Sequence, residues 1–175
     1  MDSKKQPLIG VILGSKSDLP QAVKIAETLD SLDVPFEVTV ASAHRTPEDV
    51  TTYARKARSR GLKVLIGVAG LAAALPGSLA AETTLPVIGL PVAGGALGGM
   101  DALLAIAQMP PGIPVAAVGL NSGQNAALLA VRILALSDDR LQEVLWDFQA
   151  QASDKVRASR KELENLPSAP DEAFR

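Results

Sequence analysis

Five short apolar runs, separated by segments of helical character, constrain this sequence more than any other feature. The first run, residues 8–13, is continuously apolar, which is typical of a strand buried on both faces of a sheet. The other runs predict strands at residues 36–40, 64–68, 85–90 and 115–120. Strands that alternate with helices pair in parallel, because each helix returns the chain to the same end of the sheet. The sequence therefore predicts an α/β protein.

The segments between these runs carry helix-end signals. Helices are predicted over residues 19–32, 47–60, 101–108 and 125–136. Ser17 or Asp18 is the predicted cap of the first helix, and Thr46 is the predicted cap of the second. Gly61 is expected to close the second helix in the left-handed conformation. The pattern predicts a doubly wound parallel five-stranded sheet in a flavodoxin-like three-layer sandwich, with strand order 2-1-3-4-5 and right-handed crossovers.

A long amphipathic helix is predicted after residue 138, beyond the five-stranded unit. Its apolar stripe consists of Leu141, Leu145, Phe148, Ala152 and Val156. The stripe predicts packing either on a neighbouring subunit or back on the chain's own sheet, and the pattern leaves both open. We expect a single domain over residues 1–166, with residues 137–166 as a helical arm at a subunit interface and residues 167–175 as a flexible tail.

Charge and residue content exclude several classes of function. The net charge of −2, with no basic stripe, gives nucleic-acid binding no electrostatic support. The sequence has no cysteine and one histidine, which excludes disulfides and the usual zinc sites. No apolar stretch is long enough to cross a bilayer, and residues 1–6 lack the apolar core of a signal peptide. We therefore expect a cytoplasmic protein that binds no metal, membrane or nucleic acid.

Three loops rich in polar or small residues follow the first three predicted strands. They comprise residues 15–18, 42–45 and 69–77. In the order 2-1-3-4-5, the carboxyl ends of these strands lie side by side at the edge of the sheet where ligands bind. The topology therefore predicts that the three loops surround one pocket.

The second loop carries His44, the only histidine, beside Arg45. An imidazole can move a proton near neutral pH, and a guanidinium offers a planar fork of donors for a phosphate or carboxylate. The same residues could instead form a capped turn in which His44 only hydrogen-bonds locally. The hexapeptide at residues 42–47 leaves both interpretations open.

The first loop favours binding of a small phosphate, and the third loop favours binding of a flat ligand. The first lacks the spacing of dinucleotide and P-loop sites, yet its serines and the following helix N-terminus suit a phosphate. Asp18 can cap that helix, accept from ribose hydroxyls, or do both. Small residues at 69–77 allow close backbone approach to a ligand. The glycine-rich residues 94–99 predict either a mobile cover or a long connection.

Several linked motifs together resemble the PurE family of purine biosynthesis. They are Gly14-Ser15-Lys16-Ser17-Asp18, Ser42-Ala43-His44-Arg45-Thr46-Pro47, Leu75-Pro76-Gly77, Leu85-Pro86-Val87-Ile88-Gly89, Gln108-Met109-Pro110 and Asn125-Ala126-Ala127-Leu128-Leu129-Ala130. They occur in order and at matching spacing over residues 8–136. The resemblance implies carboxylation of 5-aminoimidazole ribonucleotide at C4 by a homo-octamer that needs no metal or organic cofactor. It also implies a functional link to an ATP-dependent enzyme that carboxylates N5.

The resemblance further implies roles for individual residues. His44 is the expected catalytic proton shuttle, and Arg45 is expected to bind phosphate. Ser15 and Asp18 are expected to hold the ribose phosphate end. The full set of expected substrate-binding residues is Ser15, Ser17, Asp18, Ser42, Ala43, Arg45, Ala69, Gly70, Ala74 and Leu75.

The family has two branches that differ in the carboxyl donor, and this sequence carries marks of both. Ala74 stands where the mutase branch commonly has a second histidine, and Leu71 stands where that branch has glycine. The branch that uses free CO2 resembles this chain at position 74, but it typically carries lysine at position 45 and lacks Pro47. The match over residues 42–47 favours the mutase. Direct carboxylation is the alternative, and a non-catalytic ribonucleotide-binding module is a more distant one.

Overall fold

The structure is a computed structural model that describes residues 6–163 and 166–174. Its strands are β1 (Ile9–Leu13), β2 (Phe36–Val40), β3 (Val64–Gly70), β4 (Val87–Val92) and β5 (Ala116–Ala117). All four strand pairs are parallel, and the order across the sheet is β2-β1-β3-β4-β5. The predicted fold class and strand order are confirmed.

Helices cover both faces of this sheet. They are α1 (Leu19–Ser31), α2 (Pro47–Ala57), α3 (Leu75–Glu82), α4 (Met100–Ala107), α5 (Gly123–Leu134) and α6 (Asp139–Ser159). Helices α1, α5 and the start of α6 share one apolar core with the sheet, and α2, α3 and α4 share the other. Gly61 adopts the expected left-handed conformation (φ 95°), four residues after the last helical residue of α2.

The fifth strand is much shorter than the predicted residues 115–120, and Pro91 explains why. The Pro91 carbonyl accepts a hydrogen bond from the Asn121 amide, so this residue of β4 directs its backbone groups toward β5. Proline has no N–H, and β4 therefore lacks the donor that would continue the ladder. Only Ala116 and Ala117 pair in register with β4.

Two glycines in register across the central strands bring α3 and α4 close to the sheet. Gly67 of β3 pairs with Gly89 of β4. A Cβ atom on Gly67 would lie 3.1 Å from Pro76 Cα, and one on Gly89 would overlap Ile106 and lie 3.0 Å from Val115 Cγ1. The absence of side chains here therefore determines how closely the start of α3 approaches the sheet.

The first half of α6 folds back on the chain's own sheet, whereas the second half is exposed. Leu141 is fully buried, and Leu145 and Phe148 pack against the α1–α5 core. Ala152 and Val156 are exposed, as is Trp146 on another face of the helix. The first half of the stripe therefore follows the alternative of packing on the chain's own sheet, and packing of the second half on a neighbouring subunit stays a prediction.

Residues 166–170 and 172–174 are exposed. Residues 171–174 form a 3-10 turn, and the Arg160 guanidinium lies 3.8 Å from the centroid of the Phe174 ring. The domain boundary at residue 166 and the flexibility of the tail stay predictions. Residues 1–5, most of the polar start, and residue 175 lie outside the described residues. Within the described ranges, no helix has both the length and the apolar character needed to cross a membrane.

Candidate active site

The loops after β1, β2 and β3 meet around one cavity of about 500 Å³. Every residue predicted for the site lines it, namely Ser15, Ser17, Asp18, Ser42, Ala43, His44, Arg45, Ala69, Gly70, Ala74 and Leu75. Gly14, Leu71, Ala72 and Ala73 complete the lining. The prediction that three loops surround one pocket is confirmed, and the role of each residue stays a prediction.

The first loop is held by hydrogen bonds among Ser15, Ser17 and Asp18. The Ser15 amide donates to Asp18 Oδ2 (2.9 Å), while the Ser15 hydroxyl accepts from the Ser17 amide (3.4 Å). These contacts cap the 3-10 turn Lys16–Asp18. Ser17 or Asp18 was predicted to cap α1. Asp18 does occupy the N-cap position, but its carboxylate accepts from the Ser15 amide in the loop and makes no cap bond to α1.

Asp18 is a buried ionisable residue, with 5 % of its surface exposed. Burial raises the pKa of Asp18, because a charged carboxylate loses its hydration. Hydrogen bonds from the Ser15 amide and the Ser17 hydroxyl, together with the charge of Arg45, oppose that rise in pKa. The site therefore places a desolvated carboxyl group close to a cation.

Arg45 joins the second loop to the first. Its Nε donates to the Ser42 hydroxyl (3.3 Å), and its Nη2 donates to the Gly14 carbonyl (3.2 Å). A guanidinium has five N–H donors, so three remain for an anionic ligand. His44, the preceding residue, is exposed at the cavity. The second loop thus presents an imidazole and a guanidinium side by side.

Thr46 stands at the N-cap position of α2, as predicted, but its side chain makes no cap bond. Its hydroxyl instead accepts a hydrogen bond from the Ser42 amide (2.9 Å). The Thr46 amide donates to the Ser42 carbonyl (2.8 Å), so the turn that carries His44 is closed at both ends.

The third loop has an unusual backbone. Leu71 (φ 55°) and Ala73 (φ 39°) both lie in the left-handed region, which side-chain-bearing residues rarely adopt. The Leu71 side chain is 57 % exposed at the cavity. A Cβ atom on Gly70 would lie 3.1 Å from the Val92 carbonyl oxygen, so this position has little room for a side chain. The sequence did not predict these two left-handed conformations, because leucine and alanine rarely adopt positive φ angles.

Residues 94–99 do not line the cavity but lie beside it. A Cβ atom on Gly95 would lie 2.6 Å from Leu71 Cδ2, so Leu71 lies against this glycine-rich connection. Gly95, Gly98 and Gly99 all adopt positive φ angles. Whether the segment acts as a mobile cover stays a prediction.

The fold and the cavity together define a class of protein. It is a doubly wound α/β protein whose ligand cavity lies at the carboxyl ends of parallel strands. The cavity combines an imidazole, a guanidinium, hydroxyl groups and a set of small residues in its lining. In residues 6–163 and 166–174, no three His, Cys, Asp or Glu side chains form a group that could hold a metal ion. The expectation that the chemistry needs no metal or cofactor stays a prediction.

The profile of the family described as AIR carboxylase matches residues 8–155, so this chain belongs to the AIR carboxylase family. The chain is 49 % identical over 166 residues to the N5-carboxyaminoimidazole ribonucleotide mutase of Pyrococcus horikoshii, covering 95 % of this chain and 93 % of that protein. It is 48 % identical over 165 residues to the phosphoribosylaminoimidazole carboxylase of Schizosaccharomyces pombe, covering 94 % of this chain but 30 % of that longer protein.

A solved structure shares the fold. The crystal structure of Treponema denticola PurE matches this chain with a TM-score of 0.82 and 29 % sequence identity. The match covers 90 % of this chain and 99 % of that one. The resemblance to the PurE family, first inferred from the motifs, is confirmed.

Proposed function

We propose that this chain is an N5-carboxyaminoimidazole ribonucleotide mutase of purine biosynthesis. The observation that carries the proposal is the single cavity in which the His44–Arg45 turn meets the Ser15–Asp18 loop. Membership of the AIR carboxylase family and 49 % identity to a relative named as this mutase support the same reaction.

In this proposal each of the three loops binds a different part of the ribonucleotide. Arg45 binds the phosphate with its free N–H groups, and Ser15 and Ser17 add hydroxyl and amide donors. Asp18 accepts from the ribose. The remaining binding residues shape the space for the imidazole ring and the carboxyl group; they are Ser42, Ala43, Ala69, Gly70, Ala74 and Leu75.

The proposed reaction moves a carboxyl group without net gain or loss of a proton. The N5–carboxyl bond breaks, CO2 leaves, and N5 takes up a proton. C4 of the resulting enamine then attacks CO2, and the new C4–carbon bond forms. The C4 proton must leave to restore the aromatic ring, and His44 can accept it and supply a proton to N5. The small, backbone-lined floor of the cavity favours retention of CO2 beside C4.

Direct carboxylation of aminoimidazole ribonucleotide is the second candidate. Ala74 lines the cavity, so His44 is the only imidazole there. The relative named as a carboxylase is 48 % identical, close to the figure for the mutase relative. Both candidates use the same ribonucleotide site and differ in the source of CO2.

The experiment that separates these candidates measures product formation from two substrate sets. One is the N5-carboxyamino isomer alone, and the other is aminoimidazole ribonucleotide with bicarbonate at a physiological concentration. Turnover of the isomer with little turnover of the second set means a mutase. Efficient turnover of the second set only means a direct carboxylase. Turnover of neither set, with ribonucleotide binding intact, means a binding module.

We also propose that the protein is a cytoplasmic homo-octamer that receives its substrate from an ATP-dependent N5-carboxylating enzyme. Exposed apolar side chains support self-association: Leu97, Met100 and Leu104 are each between 46 % and 66 % exposed on and before α4. A helix that is apolar on its outer face is normally covered. Light scattering coupled to size-exclusion chromatography gives the mass of the assembly, and a monomeric mass would contradict this proposal.

Replacing Arg45 with alanine is expected to raise the KM for the ribonucleotide by about 10- to 100-fold, because a charge-assisted hydrogen bond to phosphate is lost. The value of kcat should change much less. Steady-state kinetics measures both constants. Arg58→Ala is the control, since Arg58 hydrogen-bonds to Thr84 away from the cavity. An Arg45→Ala enzyme with an unchanged KM would show that Arg45 does not bind the phosphate.

A further inference from the structure

Thr46 occupies the N-cap position of α2, but its side chain does not cap the helix. A threonine at an N-cap normally accepts from an amide in the first turn of the helix. Here the Thr46 side chain makes no such bond: Pro47 has no N–H, and the amides of Asp49 and Val50 donate instead to the Thr46 carbonyl, at 3.1 and 3.3 Å. The hydroxyl is therefore available for another partner.

That partner is the backbone of Ser42. The Thr46 hydroxyl accepts from the Ser42 amide (2.9 Å) and lies 3.4 Å from the Ser42 carbonyl oxygen, to which it donates. The Thr46 amide also donates to this carbonyl. Residues 42 and 46 are thus joined by one backbone and two side-chain hydrogen bonds, and His44 lies in the middle of the closed turn.

Ser42 connects the closed turn to the guanidinium of Arg45 through hydrogen bonds. Its hydroxyl accepts from both the Arg45 amide and Arg45 Nε, each at 3.3 Å. Arg45 then reaches the Gly14 carbonyl of the first loop. A change in the Ser42 backbone would therefore displace the side chain that joins the two loops.

We propose that Thr46 is a positioning residue, which holds the 42–46 turn so that His44 and Arg45 face the ribonucleotide. Thr46 does not line the cavity, and it acts only through Ser42. The inference rests on the proposed function, since it assigns Thr46 to the same site. It predicts that loss of the hydroxyl changes both substrate binding and turnover while the protein stays folded.

The test compares Thr46→Val, which keeps the shape but loses the hydroxyl, with Thr46→Ser, which keeps the hydroxyl. Thr46→Val is expected to lower kcat/KM about three- to tenfold, with a higher KM, because both side-chain hydrogen bonds that order the turn are lost. Thr46→Ser should remain within about twofold of the parent enzyme, since its hydroxyl can form the same bonds. Amide hydrogen exchange at Ser42 should become faster in Thr46→Val only.

Thr83→Val is the matched control. The Thr83 hydroxyl also accepts from a backbone amide, that of Leu85 (3.2 Å), in a turn outside the cavity. This control should leave KM and Ser42 exchange unchanged. If Thr46→Val lowers only the amount of folded enzyme, with KM and Ser42 exchange unaltered, the inference is wrong. If the parent chain turns over neither substrate set, the proposed function fails instead, and Ser42 exchange together with the Kd for aminoimidazole ribonucleotide still tests Thr46.

Discussion

Replacing His44 with asparagine is expected to reduce kcat by about 10²- to 10⁴-fold, the usual contribution of a positioned acid–base group. Asparagine is similar in size and can hydrogen-bond, but it cannot exchange a proton near neutral pH. Because Arg45 and the first loop remain, the Kd for aminoimidazole ribonucleotide should change little. Turnover kinetics and isothermal titration calorimetry measure the two quantities on the same preparation.

Glu48→Gln is a suitable control for His44→Asn. Glu48 is an exposed ionisable residue in the first turn of α2, four positions from His44 and outside the cavity lining. Its replacement should preserve both kcat and Kd. A His44→Asn enzyme that kept the parent turnover would remove His44 from the mechanism. A parallel loss of turnover and binding would mean that His44 contributes mainly to recognition.

Introducing a side chain at Gly89 is expected to cause a large loss of stability, because the site is already filled by neighbouring side chains. In Gly89→Ala the new methyl group would overlap Ile106 and lie 3.0 Å from Val115 Cγ1 and 3.2 Å from Pro76 Cβ. Overpacking of this kind costs about 2–3 kcal/mol in the free energy of unfolding. For a chain of this length, each kcal/mol lowers Tm by about 2–4 °C.

Gly94→Ala provides the comparison for Gly89→Ala. No atom lies within 4 Å of a Cβ placed on Gly94, and this glycine is not among those with positive φ. Its replacement should leave Tm nearly unchanged or raise it slightly, since alanine restricts the unfolded chain. Differential scanning calorimetry of both variants measures the difference. Equal Tm values would contradict the close packing at Gly89.

The fold was predictable because its three central strands, β1, β3 and β4, are buried on both faces, which produces apolar runs that can be read directly. The length of β5 was not predictable in this way. It depends on Pro91, which lies on the neighbouring strand and lacks the donor that β5 needs. For α6, the stripe identified Leu141 and Phe148 as apolar but could not decide between the chain's own core, on which they pack, and a neighbouring subunit, because periodicity carries no information on where the sheet beneath them ends.

The meeting of three loops was predictable from topology, since strand order alone places the ends of β1, β2 and β3 together. The internal hydrogen bonds of those loops were not. Capping rules assign the Asp18 and Thr46 side chains to helix starts, whereas both reach back into the preceding loop. Likewise, the contact from Arg45 to the Gly14 carbonyl joins residues 31 positions apart, and no local pattern encodes it.

The position of Trp146 has a practical optical consequence. It is the only tryptophan of the chain, it is 70 % exposed on α6, and it is absent from the cavity lining. Indole emission moves to shorter wavelength when water is removed from the ring. The intrinsic tryptophan fluorescence of this protein therefore reports on what covers α6. If a neighbouring subunit covers α6, as predicted, dilution should shift the spectrum as the subunits separate, while filling the cavity with ribonucleotide should leave the spectrum unmoved.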